Sequence, residues 1–111
     1  VIFYGSTTPA VHEAKDILKK TEITIDLMQI RSFPFNLDVW EFIANHDRIY
    51  VVEQNRDGQM RTLIMAEGGI SPEILRPLVH FTGDPIQASY IVNKISEREV
   101  NYKSHINAKK R

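Results

Sequence analysis

The sequence predicts an α/β fold, a three-layer α/β/α sandwich around a mostly parallel sheet. Three observations lead there. Short apolar runs alternate with stretches of helical spacing along the whole chain. Turn chemistry separates them, as Gly5-Ser6-Thr7-Thr8-Pro9, Gly68-Gly69 and Thr82-Gly83-Asp84-Pro85. The two most apolar runs, residues 1–4 and 49–52, have the unbroken character of strands covered on both faces.

Residues 1–4 form the first expected strand, and the Gly-Ser-Thr-Thr turn leads into a helix over residues 9–20. Thr8 is its expected cap, Pro9 suits its first position, and Val11, Ala14, Ile17 and Leu18 share one stripe. Residues 23–30 begin with strict apolar/polar alternation, as a half-exposed edge strand does. After the Pro34 loop, Asn36 is placed to cap a helix over residues 37–46 with Leu37, Trp40, Ile43 and Ala44 inward. Strand 49–52 is followed by a helix over residues 58–67 with Met60, Leu63 and Ile64 inward, stopped by Gly68-Gly69. Residues 71–77 read as an irregular connection and residues 78–81 as a short last strand. Asp84 and Pro85 are expected to open the last helix, with Ala88, Ile91, Val92 and Ile95 on its inner stripe. Short right-handed crossovers then give the spatial order second, first, third, fourth, with a topological switch point between the first and third strands. Gly5, Ser6, Thr7 and Thr8 and the turn that starts at Glu53 are expected to meet at that crevice.

At 111 residues and 42% hydrophobic content the chain suits one core. The longest purely apolar runs, such as residues 49–52, are far below the roughly 20 residues of a membrane span, and no secretory signal is expected from these residues. Without cysteine the chain offers no disulfide, thiolate-held zinc or iron–sulfur cluster, which fits a cytoplasmic protein. Zero net charge conceals an asymmetry: residues 1–98 carry 10 Lys/Arg against 13 Asp/Glu, and residues 99–111 carry 4 against 1. The expected organisation is therefore an α/β domain over 1–98 and a basic, polar carboxyl-terminal tail over 99–111. The chain starts inside a core-type strand, without an initiator Met, so a piece cut from a longer polypeptide is expected.

The chemistry-bearing stretches are few. Gly5, Ser6, Thr7 and Thr8, ahead of a helix, can hold an anion through backbone N–H groups and hydroxyls, or can simply cap that helix. They lack the spaced glycines of a dinucleotide fingerprint and the Gly-Lys-Ser/Thr of a P-loop. Glu53 opposes a phosphate at the same crevice unless a cation intervenes, with Arg31 and Arg56 as possible compensation. Glu53, Gln54 and Asn55 either satisfy backbone groups at the strand end and helix start or contact a neighbour, and Gly58 permits an unusual backbone angle. His12, His46, His80 and His105 show no ligand spacing, and no metal site is expected. Neither a Gly-x-Ser-x-Gly elbow nor a cysteine nucleophile is present, so no catalytic residue is assigned. The four-cation tail with no aromatic array does not read as a nucleic-acid site.

Residues 51–60, Val51-Val52-Glu53-Gln54-Asn55-Arg56-Asp57-Gly58-Gln59-Met60, resemble a signature of the alpha subunit of 2-oxoacid:ferredoxin oxidoreductases. That signature is a hydrophobic pair, Glu-Gln-Asn, two variable residues, Gly-Gln and an apolar residue. Tyr4-Gly5-Ser6 followed by Ala14, the Phe33-Pro34-Phe35 segment and Gly83-Asp84-Pro85 keep the family's order, so the resemblance spans about residues 1–98. It implies a domain like the carboxyl-terminal domain of transketolase. It further implies an enzyme that decarboxylates a 2-oxoacid oxidatively with thiamine diphosphate and magnesium, passes electrons through iron–sulfur clusters to ferredoxin, and gives the acyl group to coenzyme A. This chain has neither a Gly-Asp-Gly thiamine diphosphate motif nor cysteine, so those groups are expected on other domains or on the beta subunit. Glu53, Gln54, Asn55, Gly58 and Gln59 are then the interface candidates. A domain of another thiamine enzyme, of transketolase or pyruvate dehydrogenase type, and a stand-alone small-ligand module using residues 6–8 remain the alternatives.

Overall fold

The computed structural model describes residues 1–110, the side chains of Ser6 and of residues 105–110 excepted. Its strands are β1 (Ile2–Phe3), β2 (Met28–Gln29), β3 (Ile49–Glu53) and β4 (Leu75–Val79). Its helices are α1 (Thr8–Lys19), α2 (Leu37–Ala44), α3 (Gln59–Gly68) and α4 (Ala88–Lys110), with a short 3-10 turn at Gly5–Thr7. The four strands form one sheet in the order β2-β1-β3-β4, and every pairing is parallel. This is the expected α/β architecture and strand order.

Alternation along the strands builds two cores. Ile49 and Val51 of β3, with Ile2 and Leu75, pack on Val39 and Ile43 of α2 and Ile64 of α3. Tyr50 and Val52, with Phe3 and Leu78, pack on Val11, Ala14 and Leu18 of α1 and Ile91 and Ile95 of α4. The period-2 pleat therefore sends each apolar strand into both layers, which is why β1 and β3 are apolar throughout. Ahead of β2, Ile23, Ile25 and Leu27 lean on the α1/α4 core, while Met28 and Ile30 belong to the α2/α3 core. Only Met28–Gln29 has ladder pairing, so the expected strand over 23–30 is much shorter, although it keeps its edge position.

Several local expectations need correction. β4 begins at Leu75 rather than at residue 78, because Pro77 interrupts nothing on an edge strand, whose outer side needs no donor. Thr8 is already helical and its hydroxyl donates to the Gly5 carbonyl (2.9 Å) instead of capping α1. α4 begins at Ala88, not beside Asp84 and Pro85; the Ile86 N–H donates across the molecule to Gln54 Oε1 (3.1 Å). On α2 the inward residues are Val39 and Ile43, with Trp40 half-buried, while Leu37 is 76% exposed and Ala44 is also exposed. Asn36 takes the expected extended cap conformation but makes no side-chain cap bond.

α3 is held at both ends. Gly58 (φ 60°) precedes it and Gly69 (φ 62°) ends it, both in the left-handed region that glycine tolerates. Arg61 ties it to the entry of β4 by donating from Nε to the Leu75 carbonyl and from Nη2 to the Pro72 carbonyl. Ile64 is buried and Met60 half-buried against the core, whereas Leu63, expected inward, lines a shallow outer hollow with Asp57, Gln59, Thr62 and Ala66. α4 runs without a break past residue 98, and the side chains of the last basic residues lie outside the described set.

At the opposite end of the sheet from the turns that follow the strands, His46 lies between two acceptors. Its Nε2 is 2.7 Å from Asp26 Oδ2 and its Nδ1 is 2.7 Å from the Phe42 carbonyl. The bond to Asp26 and then the Phe42 carbonyl hold the His46 ring above the ordinary value of 6.5, and the His46 bond holds Asp26 below 3.8. A raised histidine contributes stability that is fully present below 6.5 and is lost as pH rises through its folded value. A depressed carboxylate contributes stability that is present above 3.8 and is lost as pH falls through its folded value. The melting difference between the parent chain and a His46→Gln variant is therefore expected to be largest at about pH 4–6.5 and to shrink above it. A difference that stayed flat from pH 5 to about pH 9 would remove the ion pair from the account.

Candidate functional site

The crevice at the topological switch point is real: Tyr4, Gly5 and Thr7 after β1 face Val52 and Glu53 of β3 and Gln54 and Asn55 of the turn that follows it, across a hollow of about 190 Å³. The sequence placed both turns here, and the structure brings them together.

Glu53 is the centre of it. As the fifth residue of a strand whose first and third residues face α3, it points to that same layer and is fully buried. Its carboxylate accepts from the backbone N–H of Met60 (Oε1, 2.6 Å) and of Arg61 (Oε2, 3.1 Å), donors of α3's first turn that have no partner within the helix. Asn55 Nδ2 donates to the same Oε1 (3.1 Å), and Asn55 Oδ1 accepts from the Gln59 N–H (3.2 Å). Glu53 and Asn55 together thus cap the helix that follows, and the negative carboxylate meets the positive end of its dipole. Gly58 is buried in this turn, where a Cβ would stand 3.5 Å from Glu53 Oε2; its positive φ, more than the space, calls for glycine. Gln54 reaches the other way, to Ile86, and the Glu53 carbonyl accepts from the His80 N–H (2.9 Å). Glu53 and the turn that follows it therefore tie together β3, α3, the end of β4 and the approach to α4.

The anion-site candidates are differently engaged. Thr7, buried, donates its hydroxyl proton to the Tyr4 carbonyl (2.7 Å), and Thr8 donates to Gly5 while accepting from Gln29 Nε2 (3.1 Å). Both protons are committed within the chain, and the Thr8 backbone N–H also donates to the Gly5 carbonyl, so the turn spends its donors on its own backbone. Gly5 has φ 65°, and the Ser6 side chain lies outside the described set. Among the described residues no group of three His, Asp or Glu side chains is placed to hold a metal ion, and no helix is long and apolar enough to cross a membrane.

Sequence reasoning missed the rim around this crevice. Four large, exposed hydrophobic side chains follow strand ends on this side: Tyr4 after β1, Phe33 and Leu37 after β2, and Phe81 after β4. The Arg56 guanidinium, exposed in the Glu53 turn, lies 5.8 Å from the Phe81 ring. The available signal was that apolar residues run past the strand ends into Pro and Gly turns.

No family model and no curated protein matches the chain. Among solved structures, it is similar to the 2-oxoglutarate:ferredoxin oxidoreductase from Magnetococcus marinus, solved with 2-oxoglutarate, coenzyme A and succinyl-CoA bound. The TM-score is 0.76, with 28% sequence identity and 86% of this chain covered. The chain spans 17% of the length of that chain. In fold and in more than a quarter of its aligned sequence, the chain is thus similar to a domain-sized part of a 2-oxoacid oxidoreductase.

Proposed function

We propose that the chain is the transketolase carboxyl-terminal-like domain of a 2-oxoacid:ferredoxin oxidoreductase alpha subunit, and that it acts at an interface. The observation that carries this reading is the likeness to the Magnetococcus marinus enzyme at 28% identity over 86% of the chain. The whole enzyme would oxidise and decarboxylate a 2-oxoacid, transfer the acyl group to coenzyme A, and reduce ferredoxin in the cytoplasm. In this reading residues 1–98 are the domain proper, and residues 99–110 extend its last helix.

The residues of this chain do not fit the cofactors of such an enzyme. A cluster would need thiolates and the chain has no cysteine. Glu53, the one fully buried carboxylate at the crevice, already accepts from Met60, Arg61 and Asn55, so it is not available to a magnesium ion. Thiamine diphosphate, magnesium and the cluster are therefore assigned to other domains and the beta subunit. The contribution of this domain is a surface: the turn from Glu53 to Gln59 supports the rim, and the exposed Gln59, Arg56, Phe81 and Phe33 meet the neighbour.

Because Glu53 and Asn55 cap α3, their substitution confounds folding with assembly. The better test is Gln59→Ala with Phe81→Ala in the complete enzyme. Both side chains are exposed, so the domain should melt within about 3 °C of wild type. Subunit association should weaken roughly tenfold or more, with turnover falling in step. Unchanged association and unchanged turnover in that variant would overturn the interface role.

A further inference from the structure

The apolar stripe of α4 does not end at Ile95; it turns polar and continues. Arg98, Glu99 and Tyr102 stand three, four and seven positions beyond Ile95, on the same side of the helix. They meet three residues at the amino-terminal ends of the inner and outer strands. Arg48 precedes β3, Tyr50 lies in it, and Arg76 is the β4 residue paired with Tyr50.

Among the described residues Glu99 is the one carboxylate bonded within this group of three guanidinium groups, and Arg48 takes it. Arg48 holds it with Nε at 3.1 Å and Nη2 at 2.8 Å, and the Tyr50 hydroxyl adds a third donor at 3.1 Å. Burial, then the nearby Glu99 charge, pushes the Tyr50 phenol up to about 12, so it remains a donor. Arg48 and Arg76 share the Tyr102 ring, at 3.8 and 6.0 Å from its centroid. Arg98 lies 5.8 Å from the Tyr50 ring and donates to the Pro77 carbonyl. Among the described residues neither Arg76 nor Arg98 has an ion-pair partner, and the Arg76 Nε is buried with no acceptor at all. Lys103, exposed one turn beyond Glu99, adds a further positive charge. The acids nearest in the neighbouring hollow do not reach these cations: Asp26 is bonded to His46 beside the opposite edge of the sheet, and Asp47 is exposed.

A buried guanidinium N–H without an acceptor, next to a second unpaired guanidinium on an aromatic wall, is a geometry that an oxyanion completes. We propose that Arg76, against the Tyr102 ring, and Arg98, against the Tyr50 ring, form an oxyanion site that takes a phosphate or carboxylate group. The site lies at the other end of the sheet from the crevice and does not depend on the interface reading above. A small phosphate-bearing anion and an acidic side chain of a neighbouring polypeptide present the same oxygens.

The test is a titration of the 111-residue chain followed at the arginine Nε–H resonances by NMR, with sodium phosphate against sodium chloride of equal ionic strength. The Arg76 signal should shift saturably with phosphate and not with chloride. Arg76→Met and Arg98→Met, which keep the apolar stems, should each weaken that binding roughly tenfold or more. A parallel titration with a hexaglutamate peptide distinguishes the sources. Saturation by the peptide at lower concentration assigns the site to a partner's carboxylates, and saturation by phosphate alone assigns it to a small anion. An Arg76 signal indifferent to both ligands in the parent chain, or phosphate binding unchanged in Arg98→Met, overturns the proposal even if the Arg76 variant fails to fold.

Discussion

Replacing Glu53 by alanine is expected to destabilise the chain by about 3 kcal/mol, since it leaves the part-buried Met60 and Arg61 N–H groups without an acceptor and frees Asn55. For a chain of this size that is a fall in melting temperature of roughly 10–20 °C. Glu53→Gln keeps one acceptor oxygen but turns an NH₂ group toward a second donor, so it should recover only part of the loss. Amide hydrogen exchange adds a local signature: Met60 and Arg61 should lose protection in Glu53→Ala before the amides of β3 do. A melting temperature within about 2 °C of wild type would show that α3 does not rely on this cap. The outcome bears on function as well, because loss of activity in a Glu53 variant would then report a disordered turn and not a lost chemical group.

The second large effect is expected at Phe3. It is 1% exposed on the central strand β1 and fills the α1/α4 core with Val11, Leu18 and Ile91, its ring edge-on to His12 at 6.0 Å. Phe3→Ala removes most of that packing and leaves a cavity in a layer fixed on both sides, which costs about 3–5 kcal/mol. Urea denaturation should show the midpoint falling with an unchanged slope. A loss under about 1.5 kcal/mol would mean that α1 and α4 close over the space, and the α1/α4 layer would then be softer than its burial suggests.

The sheet order was legible because it depends on patterns that each strand carries alone. Residues 1–4 and 49–52 are apolar at every position, whereas residues 23–27 alternate, and that contrast separates central strands from an edge. What escaped were features decided by residues far apart in the chain. The true start of α4 depends on Gln54, 32 residues before Ile86, and nothing local distinguishes it from the Asp84-Pro85 cap that the sequence suggests. The Arg48 pair with Glu99 spans 51 residues. Pro77 misled in the opposite sense: locally it reads as a break, and only its place on the outermost strand makes it harmless. The turn after β3 was legible as a candidate site from residue types alone. That Glu53 turns inward to α3, while Gln59 and Arg56 stay exposed, follows from the strand's register, which composition does not reveal.

Pro77 has a further consequence for what this chain can join. A parallel sheet open at both sides offers its outer strands as templates for another chain to add to. Here one outer strand, β2, is only two residues long, and the other, β4, has a proline in its middle that cannot donate to an added strand. Growth of the sheet by strand addition is thereby discouraged on both flanks. Neighbours are left to approach through loops and helix faces, so the chain can sit in a crowded assembly without its sheet becoming a seed for fibres.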